Sequence, residues 1–403
     1  MNRRTFLRSV AALPIAARLD ALALLPASSP RITVIGAGAF GGWIALQLRR
    51  LGAQVTLLDA WGPGNARSSS GGETRVIRAI YGADRTYVEM VKRAYALWET
   101  LDASTDESLY TETGALWLHR GDDAYVRTAV PILGELGFPV EQLSVDTAAK
   151  RYPQIRFDGV RSVWLEHRAG ALSARRACAV VRDAFVKAGG VYRTEQVEPG
   201  PIVNGSMKGD ADIFVFACGP WLGKLFPEIP IRPSRQEVYF FGTPRGSQRY
   251  LPGKLPVWID FGERIFYGVP DTHGRGFKIA DDTRGDDVDP TTLDRTPSPQ
   301  SLARAMRLLA ERFPELANAP LLESRVCQYE NSPDGHLIID RHPRAKNVWL
   351  AGGGSGHGFK LAPAIGDMTA QAILSGKEIP ALFRLERLRD TKQPATQFDT
   401  KET

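Results

Sequence analysis

The first regular pattern along the chain changes its periodicity twice, in the order strand, helix, strand. Ile32–Ile35 is a short apolar run rich in β-branched residues, which predicts a buried strand. Ile44, Leu48 and Leu51 then recur at the spacing of one helix face, and Val55–Leu58 is a second apolar run. The pattern therefore predicts a strand–helix–strand unit of about 30 residues.

Glycines and an acidic residue occupy the turns of this unit. Gly36, Gly38 and Gly41 form a G-x-G-x-x-G sequence before the helix, and Asp59 ends the second strand. The glycines allow a tight turn, close approach of a pyrophosphate and close helix packing, and the helix N-terminus favours negative charge. Asp59 is in the position from which an acidic residue accepts hydrogen bonds from ribose hydroxyls. These features predict a dinucleotide-binding site.

The remaining hydrophobic pattern predicts two kinds of sheet. Helical periodicity recurs over residues 87–101 and 300–313, and Phe214–Ala217 is an apolar run of the parallel-strand type. Between residues 231 and 330, short aromatic segments of alternating polarity predict antiparallel strands. A last strand, glycine loop and helix occupy residues 347–376. A nucleotide-binding sheet is therefore expected to be interrupted by an antiparallel domain.

These elements predict an α/β fold with a discontinuous Rossmann-like domain and an inserted α+β substrate domain built on an antiparallel sheet. The nucleotide-binding domain is assigned residues 30–112, 160–230 and 331–385. The substrate domain is assigned residues 113–159 and 231–330. Residues 386–403 are charged and are expected to form a loosely ordered tail.

Composition fits an ordinary globular protein. Of the 403 residues, 43% are apolar and 9% are aromatic, which is ample material for a buried core. The formal net charge is +6, and half of it comes from the first 29 residues, so the body of the protein is only mildly basic. The sequence has no block of lysine and arginine interleaved with aromatic residues, and we therefore expect no nucleic-acid partner.

Residues 1–29 have the pattern of an export signal. Arg3 and Arg4 precede a moderately apolar run that Arg18 and Asp20 interrupt, so the segment is too polar to span a bilayer. It resembles a twin-arginine signal, which implies export of the folded protein to the periplasm or beyond. The alternative is a disordered amphipathic extension, with the protein remaining in the cytoplasm.

The cysteines exclude two classes of protein. Cys178, Cys218 and Cys327 are odd in number and form no C-x-x-C pair, so a metal cluster or a disulfide framework is not expected. A bridge between Cys178 and Cys218 is the alternative to buried free thiols, which are common in protein interiors.

Several stretches of the sequence, taken together and in order, give a resemblance to a known family. The blocks are GAGAFGG at residues 36–42, GETRVIRAIYG at 72–82, GVPDTHGRGFK at 268–278, VCQYENSPDGHLIIDRHP at 326–343 and GGGSGHGFKLAP at 352–363. They resemble the flavin-dependent amine oxidases of the monomeric sarcosine oxidase and pipecolate oxidase type, in the D-amino-acid oxidase superfamily. The resemblance runs from about residue 31 to about residue 376 and implies FAD, rather than a nicotinamide, as the dinucleotide.

The resemblance also implies the cofactor contacts. Cys327, with Tyr329 two residues further, matches the cysteine that forms a thioether to the flavin ring methyl in that family. A small buried thiol at a strand end is the alternative interpretation of Cys327. The remaining implied contacts with the flavin are Thr74, Gly354, Gly356, His357 and Gly358. A general-base role for His357 is the alternative to membership of this glycine loop.

The catalytic residues implied by the resemblance are mostly cations. Arg78 and Lys360 match a clamp for the substrate carboxylate, to which arginine offers a planar fork and lysine a point charge. Arg75 and Lys278 match cations placed against the flavin, and Lys278 corresponds to the lysine that helps oxygen accept electrons. Tyr267 matches an active-site tyrosine.

The implied reaction is oxidation of the CH–NH bond of a secondary or N-methylated amino acid. A hydride passes from the carbon next to a neutral amine to the flavin, the product imine hydrolyses, and O2 is reduced to H2O2. The partners are then a small amine and O2, and the protein is expected to be monomeric. Two alternatives are a dehydrogenase that passes electrons to a quinone or cytochrome and a flavin-binding partner protein without turnover.

The sequence departs from the family at two positions. Gly71 and Asp282 stand where sarcosine oxidases carry histidines. An acid at residue 282 favours a cationic amine or a second basic group on the substrate, and this places sarcosine itself in doubt. The alternative is a different loop in which Asp282 faces solvent.

Overall fold

The computed structural model describes residues 29–106, 108–390, 396 and 398. Residues 1–28 of the predicted export signal and most of residues 391–403 lie outside the described residues. Within the described part, no helix has both the length and the apolar character needed to cross a membrane.

Strands occur throughout the described chain between residues 31 and 352. In chain order they are β1 (Arg31–Ile35), β2 (Gln54–Asp59), β3 (Thr74–Ile77), β4 (Tyr110–Glu112), β5 (Ala115–His119), β6 (Val140–Leu143), β7 (Ser162–Glu166), β8 (Gly170–Ser173), β9 (Val191–Thr194), β10 (Ile202–Val203), β11 (Ser206–Met207), β12 (Ile213–Phe216), β13 (Arg232–Phe241), β14 (Val257–Phe261), β15 (Ile265–Val269), β16 (Phe277–Asp281), β17 (Leu321–Asn331), β18 (Ile338–His342) and β19 (Ala345–Gly352).

Helices connect and cover these strands. In chain order they are α1 (Ala39–Arg50), α2 (Arg85–Asp102), α3 (Ala124–Arg127), α4 (Val130–Leu136), α5 (Val145–Arg151), α6 (Ala174–Lys187), α7 (Leu222–Leu225), α8 (Pro299–Arg312) and α9 (Ala362–Ser375). The helices predicted over residues 87–101 and 300–313 are confirmed as α2 and α8.

A six-stranded sheet contains both predicted nucleotide-binding segments. Its strand order is β18-β19-β12-β1-β2-β9, and all neighbouring pairs except β18–β19 are parallel. Helix α1 crosses from β1 to β2 and is buried along most of its length, including Trp43. Helix α9 packs so closely on α1 that a Cβ atom at Gly366 would lie 2.7 Å from the backbone of Trp43. The first and last βα units therefore form one Rossmann-like layer, as predicted.

The second large sheet has eight strands in the order β17-β13-β16-β15-β14-β5-β7-β6. Its pairs are antiparallel except for β14 with β5, which run parallel. The predicted antiparallel strands are therefore confirmed, and the one parallel pair joins β5 and β14, which are far apart in sequence and have no hairpin to fix their relative direction. Strand β7 also belongs to this sheet, although its residues were assigned to the nucleotide-binding domain.

The eight-stranded sheet contains a fully buried charged group. Asp260 on β14 is 1% exposed and accepts hydrogen bonds from Arg120 and from Arg312, which is itself 0% exposed. Arg312 also donates to the carbonyl oxygens of Arg156 and Asp158. A buried carboxylate is tolerated only when its lone pairs are satisfied in this way, so the cluster ties α8 to the sheet.

A third sheet has three strands in the order β3-β8-β4 and contains most of the TRVIR segment, residues 74–78. Thr74 and Arg75 lie on β3, paired with Ser173 and Leu172 of β8.

The three cysteines form no disulfide among the described residues. Cys178, Cys218 and Cys327 are all free thiols, so the alternative of a bridge between the first two is wrong.

The expectation of a loosely ordered tail is wrong for the described residues after 385. Residues 385–390 form 3-10 turns, and Arg387 donates to both carboxylate oxygens of Asp334, at 2.7 and 3.1 Å. Phe398 packs against Phe261 and Tyr125, with ring centroids 5.1 and 5.3 Å away. Charged composition predicted exposure here, but a salt bridge and an aromatic side chain attach the segment to the body of the protein.

Candidate active site

The larger of two adjoining cavities lies at the carboxyl ends of the parallel strands. It has a volume of about 530 Å³ and reaches from the glycine turn after β1 to the glycine loop after β19. Loops that follow the strands of an open parallel sheet diverge at this edge and leave a crevice there. The predicted residues that line it are Gly36, Gly38, Asp59, Arg75, Gly354, Gly356 and Gly358.

The glycine turn after β1 has the backbone geometry that requires glycine. Gly36 has a φ of +101°, and a Cβ atom there would lie 2.3 Å from the carbonyl oxygen of Ala217. A Cβ atom at Gly41 would lie 1.8 Å from the carbonyl oxygen of Gly36. Gly41 therefore lies outside the cavity and lets α1 approach the turn, while Gly38 precedes α1 at the cavity wall.

Asp59 closes the same end of the larger cavity. Its Oδ2 accepts a hydrogen bond from the backbone N–H of Ala37 at 2.7 Å, and its Oδ1 accepts from Trp61 and Gly62 at 2.8 and 2.7 Å. The carboxylate thus links the end of β2 to the turn after β1. Oδ2 has a second lone pair, so Asp59 can still accept a hydrogen bond from a ligand hydroxyl in the cavity.

Tyr81 and His357 brace the glycine loop after β19. The Tyr81 hydroxyl and Nδ1 of His357 are 3.0 Å apart, and Nε2 of His357 is 3.0 Å from the carbonyl oxygen of Gly335. Because a carbonyl only accepts, Nε2 carries the proton and Nδ1 accepts from Tyr81. Burial, then Lys360, lowers the pKa of His357 well below its usual value. With both ring nitrogens engaged, His357 supports the loop, and the general-base alternative has no free nitrogen to use.

The smaller cavity adjoins the larger one and is lined by every predicted catalytic residue except Lys278, which lines neither cavity. Its volume is about 60 Å³, and it shares Arg75, Tyr329, Gly356 and Phe359 with the larger cavity. Its other polar lining residues are Arg78, Tyr267, Asp282, His357 and Lys360. A compact polar chamber therefore opens next to the dinucleotide crevice.

Arg78 and Lys360 are buried cations that face the same aromatic ring. Each is 4% exposed, and their charged ends lie 4.6 and 5.0 Å from the ring centroid of Tyr81. Arg78 donates to the carbonyl oxygen of Ile80, and Lys360 donates to that of His357 at 2.9 Å. The contacts orient both cations towards one region of the smaller cavity.

Burial acts differently on these two cations. It lowers the pKa of Lys360 well below the usual value, and Arg78 lowers this pKa further. Burial also opposes the charged form of Arg78, but Tyr125, Tyr81, Glu166 and Asp282 together raise its pKa above the usual value. Arg78 is therefore charged at any physiological pH, and an anion in the cavity would favour the charged form of Lys360 as well.

Lys278 and Tyr267 lie on one face of adjacent strands. Tyr267 on β15 is paired with Ala280 on β16, two residues from Lys278, so both side chains point to the same side. Lys278 is 1% exposed, its Nζ donates to the carbonyl oxygen of Thr74 at 3.0 Å, and it lies 5.2 Å from the ring centroid of Tyr267. Burial, then Arg75, lowers the pKa of Lys278 to about 7.

Arg75 connects the two cavities to Cys327. Its Nη2 donates to Sγ of Cys327 at 3.4 Å and to the carbonyl oxygen of Ser69 at 2.6 Å, and its Nη1 donates to that of Thr74 at 2.9 Å. Cys327 is half-buried and lines neither cavity, but its sulfur contacts a side chain that lines both. Thr74 contributes its carbonyl oxygen, while its buried hydroxyl has no hydrogen-bond partner among the described residues.

Asp282 lines the smaller cavity rather than projecting into solvent. Its Oδ1 accepts a hydrogen bond from the Tyr329 hydroxyl at 2.6 Å. Burial raises the pKa of Asp282 to about 6, and Tyr329, Arg78 and Lys360 act in the opposite direction. The solvent-facing alternative for this residue is therefore wrong, and the acid faces the two cations of the predicted clamp.

Gly71, the other departure, has no room for a side chain. A Cβ atom there would lie 1.9 Å from the carbonyl oxygen of Asn65, and its own carbonyl oxygen accepts two bonds from Arg175, at 3.2 and 2.9 Å. The backbone of this loop therefore packs too closely for any side chain at residue 71, including the histidine that the resemblance led us to expect.

Sequence reasoning missed several residues of the smaller cavity's surroundings. Tyr81 lies in the GETRVIRAIYG segment, which gives no indication of a role for it, and its position beside two cations depends on tertiary packing. Glu166 is fully buried, accepts from the backbone N–H of Ala79, and has its pKa raised to about 7 by burial. Phe398 covers the guanidinium group of Arg78 at 5.5 Å from its ring centroid. No local sequence signal brings these residues to the site.

Comparison with known proteins agrees with this geometry. Residues 31–372 match the FAD dependent oxidoreductase family. The chain is 32% identical over 366 residues to "Monomeric sarcosine oxidase" of Bacillus sp. (strain B-0618), covering 86% of this chain and 92% of that protein. It is 29% identical over 377 residues to "N-methyl-L-tryptophan oxidase" of Salmonella arizonae, covering 88% of this chain and 98% of that protein.

A solved structure with the same fold is that of L-proline dehydrogenase from P. horikoshii. It superimposes with a TM-score of 0.76 at 24% identity, over 88% of this chain and 96% of that one. The match over most of the chain shows that the protein belongs to the FAD dependent oxidoreductase family. It is thus a flavoprotein, and the predicted fold class is confirmed, as is FAD as the dinucleotide.

The larger cavity fits FAD on its own chemistry. The turn at Gly36 and the N-terminus of α1 would hold the pyrophosphate, since both line the cavity and a helix N-terminus favours negative charge. Arg75 and Tyr329 lie at the opposite end, next to the smaller cavity, where the flavin ring would meet a substrate. When bound there, FAD supplies a hydride acceptor that no amino-acid side chain provides.

A pair of glycine variants tests the importance of the loop after β19. Gly356 has a φ of +84°, and a Cβ atom there would lie 2.7 Å from the ring of Tyr329. Gly376 has a similar φ of +69° at the end of α9 but meets nothing within 4 Å. We expect Gly356→Ala to lower the flavin content of the purified protein, and Gly376→Ala to leave it unchanged while costing about 1–2 kcal/mol of unfolding free energy.

The measurement is the ratio of flavin to protein absorbance, with thermal unfolding recorded for both variants. Equal flavin content in Gly356→Ala and the unaltered protein would show that the loop does not need this close approach.

Proposed function

We propose that the protein oxidises the CH–NH bond of a secondary or N-methylated amino acid, with transfer of a hydride to FAD and reduction of O2 to H2O2. The observation that carries the proposal is the smaller cavity, where Arg78 and Lys360 face Asp282 next to the flavin end of the larger one. Opposite charges in one small chamber match a zwitterion, which an amino acid is and a simple amine is not.

The carboxylate of the substrate belongs at the cationic side of the cavity. Arg78 offers a planar fork for two parallel hydrogen bonds, and Lys360 adds a second charge beside the same ring. Both are buried, so their attraction for a carboxylate is screened less than it would be at the surface. A bound carboxylate would also offset the cost of burying these cations.

The amino group of the substrate belongs near Asp282. An ammonium group entering the cavity would interact with this carboxylate, which has a pKa of about 6 and accepts from Tyr329. Hydride removal requires the neutral amine, so the ammonium proton must leave first. Asp282 is the acidic residue of the smaller cavity and supplies a nearby acceptor for that proton.

The names of the relatives agree with this substrate class. Sarcosine and N-methyl-L-tryptophan, which appear in the names of the two relatives, are both N-methylated amino acids with very different side chains. The shared part of these molecules is the N-methylamino-carboxylate, which is the part that Arg78, Lys360 and Asp282 would contact. The side chain of the substrate would contact the other residues that line the cavity, including Ile259 and Phe398.

Lys278 supports oxygen as the electron acceptor. Its ammonium group is buried and interacts with Arg75, which lines both cavities, while Lys278 itself lines neither. Superoxide develops negative charge as oxygen takes its first electron, and a fixed cation in a water-poor site stabilises that charge. Anionic flavin in the larger cavity would favour the charged form of Lys278, since opposite charges raise a lysine pKa.

Cys327 supports a covalent link to the flavin. Its thiol is half-buried and lies within hydrogen-bond distance of Arg75, which lines both cavities. It is also on the same strand face as Tyr329, two residues along β17, and Tyr329 lines both cavities too. We propose a thioether between this sulfur and the flavin ring methyl.

An anaerobic titration tests the carboxylate clamp. Pipecolate and piperidine differ only in the carboxylate. Reduction of the flavin by each amine is followed as the loss of visible flavin absorbance. We expect Arg78→Met to raise the half-bleaching concentration of pipecolate by about 10- to 100-fold, because a charge-assisted hydrogen bond contributes about 1.5–3 kcal/mol. Bleaching by piperidine should be equally poor in both proteins.

Arg307→Met, which removes an exposed arginine, is the matched control and should behave as the unaltered protein. An equal loss for pipecolate and piperidine in Arg78→Met would contradict the clamp.

A denaturing gel tests the covalent link. The unaltered protein and Cys178→Ala should both give a band that fluoresces under ultraviolet light, because Cys178 is a buried thiol on α6. Cys327→Ala should stain for protein without fluorescence. A dark band from the unaltered protein would refute the thioether.

A further inference from the structure

Glu330 is a buried acid in the larger cavity that has no part in the proposed reaction. It follows Tyr329 on β17, is 8% exposed, and lines the cavity between its two ends. The Glu330 carboxyl group packs against glycines that follow two strands, where a side chain would crowd it. A Cβ atom at Gly354 would lie 2.8 Å from Oε1, and one at Gly219 would lie 3.4 Å from Oε2. The carboxyl group thus sits at the boundary between the loops after β12 and β19.

The two carboxyl oxygens have different surroundings. Oε1 lies beside Gly354, whose backbone N–H is the one group found to favour the ionised form of Glu330. Oε2 is buried and has no hydrogen-bond partner among the described residues. A buried polar atom without a partner is uncommon in a folded protein and often marks the position of a ligand group.

The surroundings keep this acid neutral. Burial raises the pKa of Glu330 to about 8, and no cation of the described chain acts on it. The titratable neighbour on the facing strand end is Cys218, whose own pKa is raised by burial, then by Asp59 and Glu330. At pH 7 the side chain is therefore a carboxylic acid, and its proton belongs on Oε2, since Oε1 faces a donor.

We propose that Glu330, in its acid form, donates a hydrogen bond from Oε2 to an oxygen of the segment of FAD that joins the pyrophosphate to the flavin ring. The glycine turn at Gly36 fixes one end of the cofactor, and Arg75 and Tyr329 lie at the other end. The connecting segment must pass between them, where Glu330 lies next to Tyr329 and Gly354. A neutral donor suits this place, because a carboxylate would repel the electron-rich oxygens of the cofactor.

The proposal predicts that Glu330 contributes to FAD affinity through its proton. FAD affinity is measured by fluorescence titration of apo-protein in a Cys327→Ala background, where the cofactor is free to dissociate. Glu330→Gln keeps a donor of the same shape, and Glu330→Leu removes it. At pH 7 we expect the dissociation constant to rise about tenfold in Glu330→Leu and less than about threefold in Glu330→Gln.

The pH dependence separates the acid from a generic polar group. Since FAD would bind the protonated form, affinity should be constant below about pH 8, the pKa of the free acid, and fall above it. Glu330→Gln carries no proton to lose and should show no such fall. Ionisation of FAD itself is common to both proteins and cancels in the comparison.

Thermal unfolding of each apo-protein shows whether the variants fold. If Glu330→Leu does not fold, the proposal is tested by the pH dependence of FAD affinity in Glu330→Gln and in its parent alone. The same fall in affinity above pH 8 in these two proteins would overturn the proposal, as would a Glu330→Leu protein that folds and binds FAD as tightly as its parent. The test concerns cofactor binding only, so its outcome is independent of the substrate proposed above.

Discussion

Positive charge buried beside the two cavities is the constraint on which the site depends. Arg78, Lys278 and Lys360 are each at most 4% exposed, and Arg75 lines both cavities. Burial lowers the pKa of both lysines, which shows that the protein alone does not fully compensate these charges. An anionic flavin and a substrate carboxylate would supply the missing negative charge. The site is thus electrostatically complementary to its loaded and reduced states.

The fold brings these cations together from distant parts of the chain. Arg75 and Arg78 come from the β3 segment, Lys278 from the eight-stranded sheet, and Lys360 from the connection between β19 and α9. Backbone carbonyl oxygens hold them in place, since Lys278 donates to Thr74 and Lys360 donates to His357. The parallel sheet places the dinucleotide crevice at its carboxyl edge, and the eight-stranded sheet forms the wall against which a substrate would lie.

Much of this arrangement follows from local sequence signals. The βαβ unit with Gly36 and Asp59 could be predicted because each residue type has a backbone or hydrogen-bonding requirement within about 30 residues. The cations could be assigned only through blocks that resemble a family, because a lone lysine or arginine has no distinctive local pattern. The parallel pairing of β5 with β14 could not be predicted, since no turn links the two strands.

The residues that sequence reasoning missed all depend on tertiary packing. Tyr81 is positioned by its contacts with two cations and a histidine. Phe398 lines the smaller cavity, although its part of the sequence is predicted to be a polar tail. Asp282 could be noticed as an unusual residue, but only the fold shows that it faces the cavity. Glu330 gave no signal because a single acid between a tyrosine and an asparagine is ordinary in a strand.

The most direct test of the central claim is re-oxidation by air after anaerobic reduction with a secondary amino acid. The account predicts that air restores the yellow colour of the unaltered protein rapidly and that H2O2 accumulates. It also predicts that Lys278→Met is reduced by the same amine but re-oxidised about 100-fold more slowly, because a buried cation next to the developing superoxide is lost. Rapid reduction of the unaltered protein without recovery in air would contradict the account and identify a dehydrogenase that uses another acceptor.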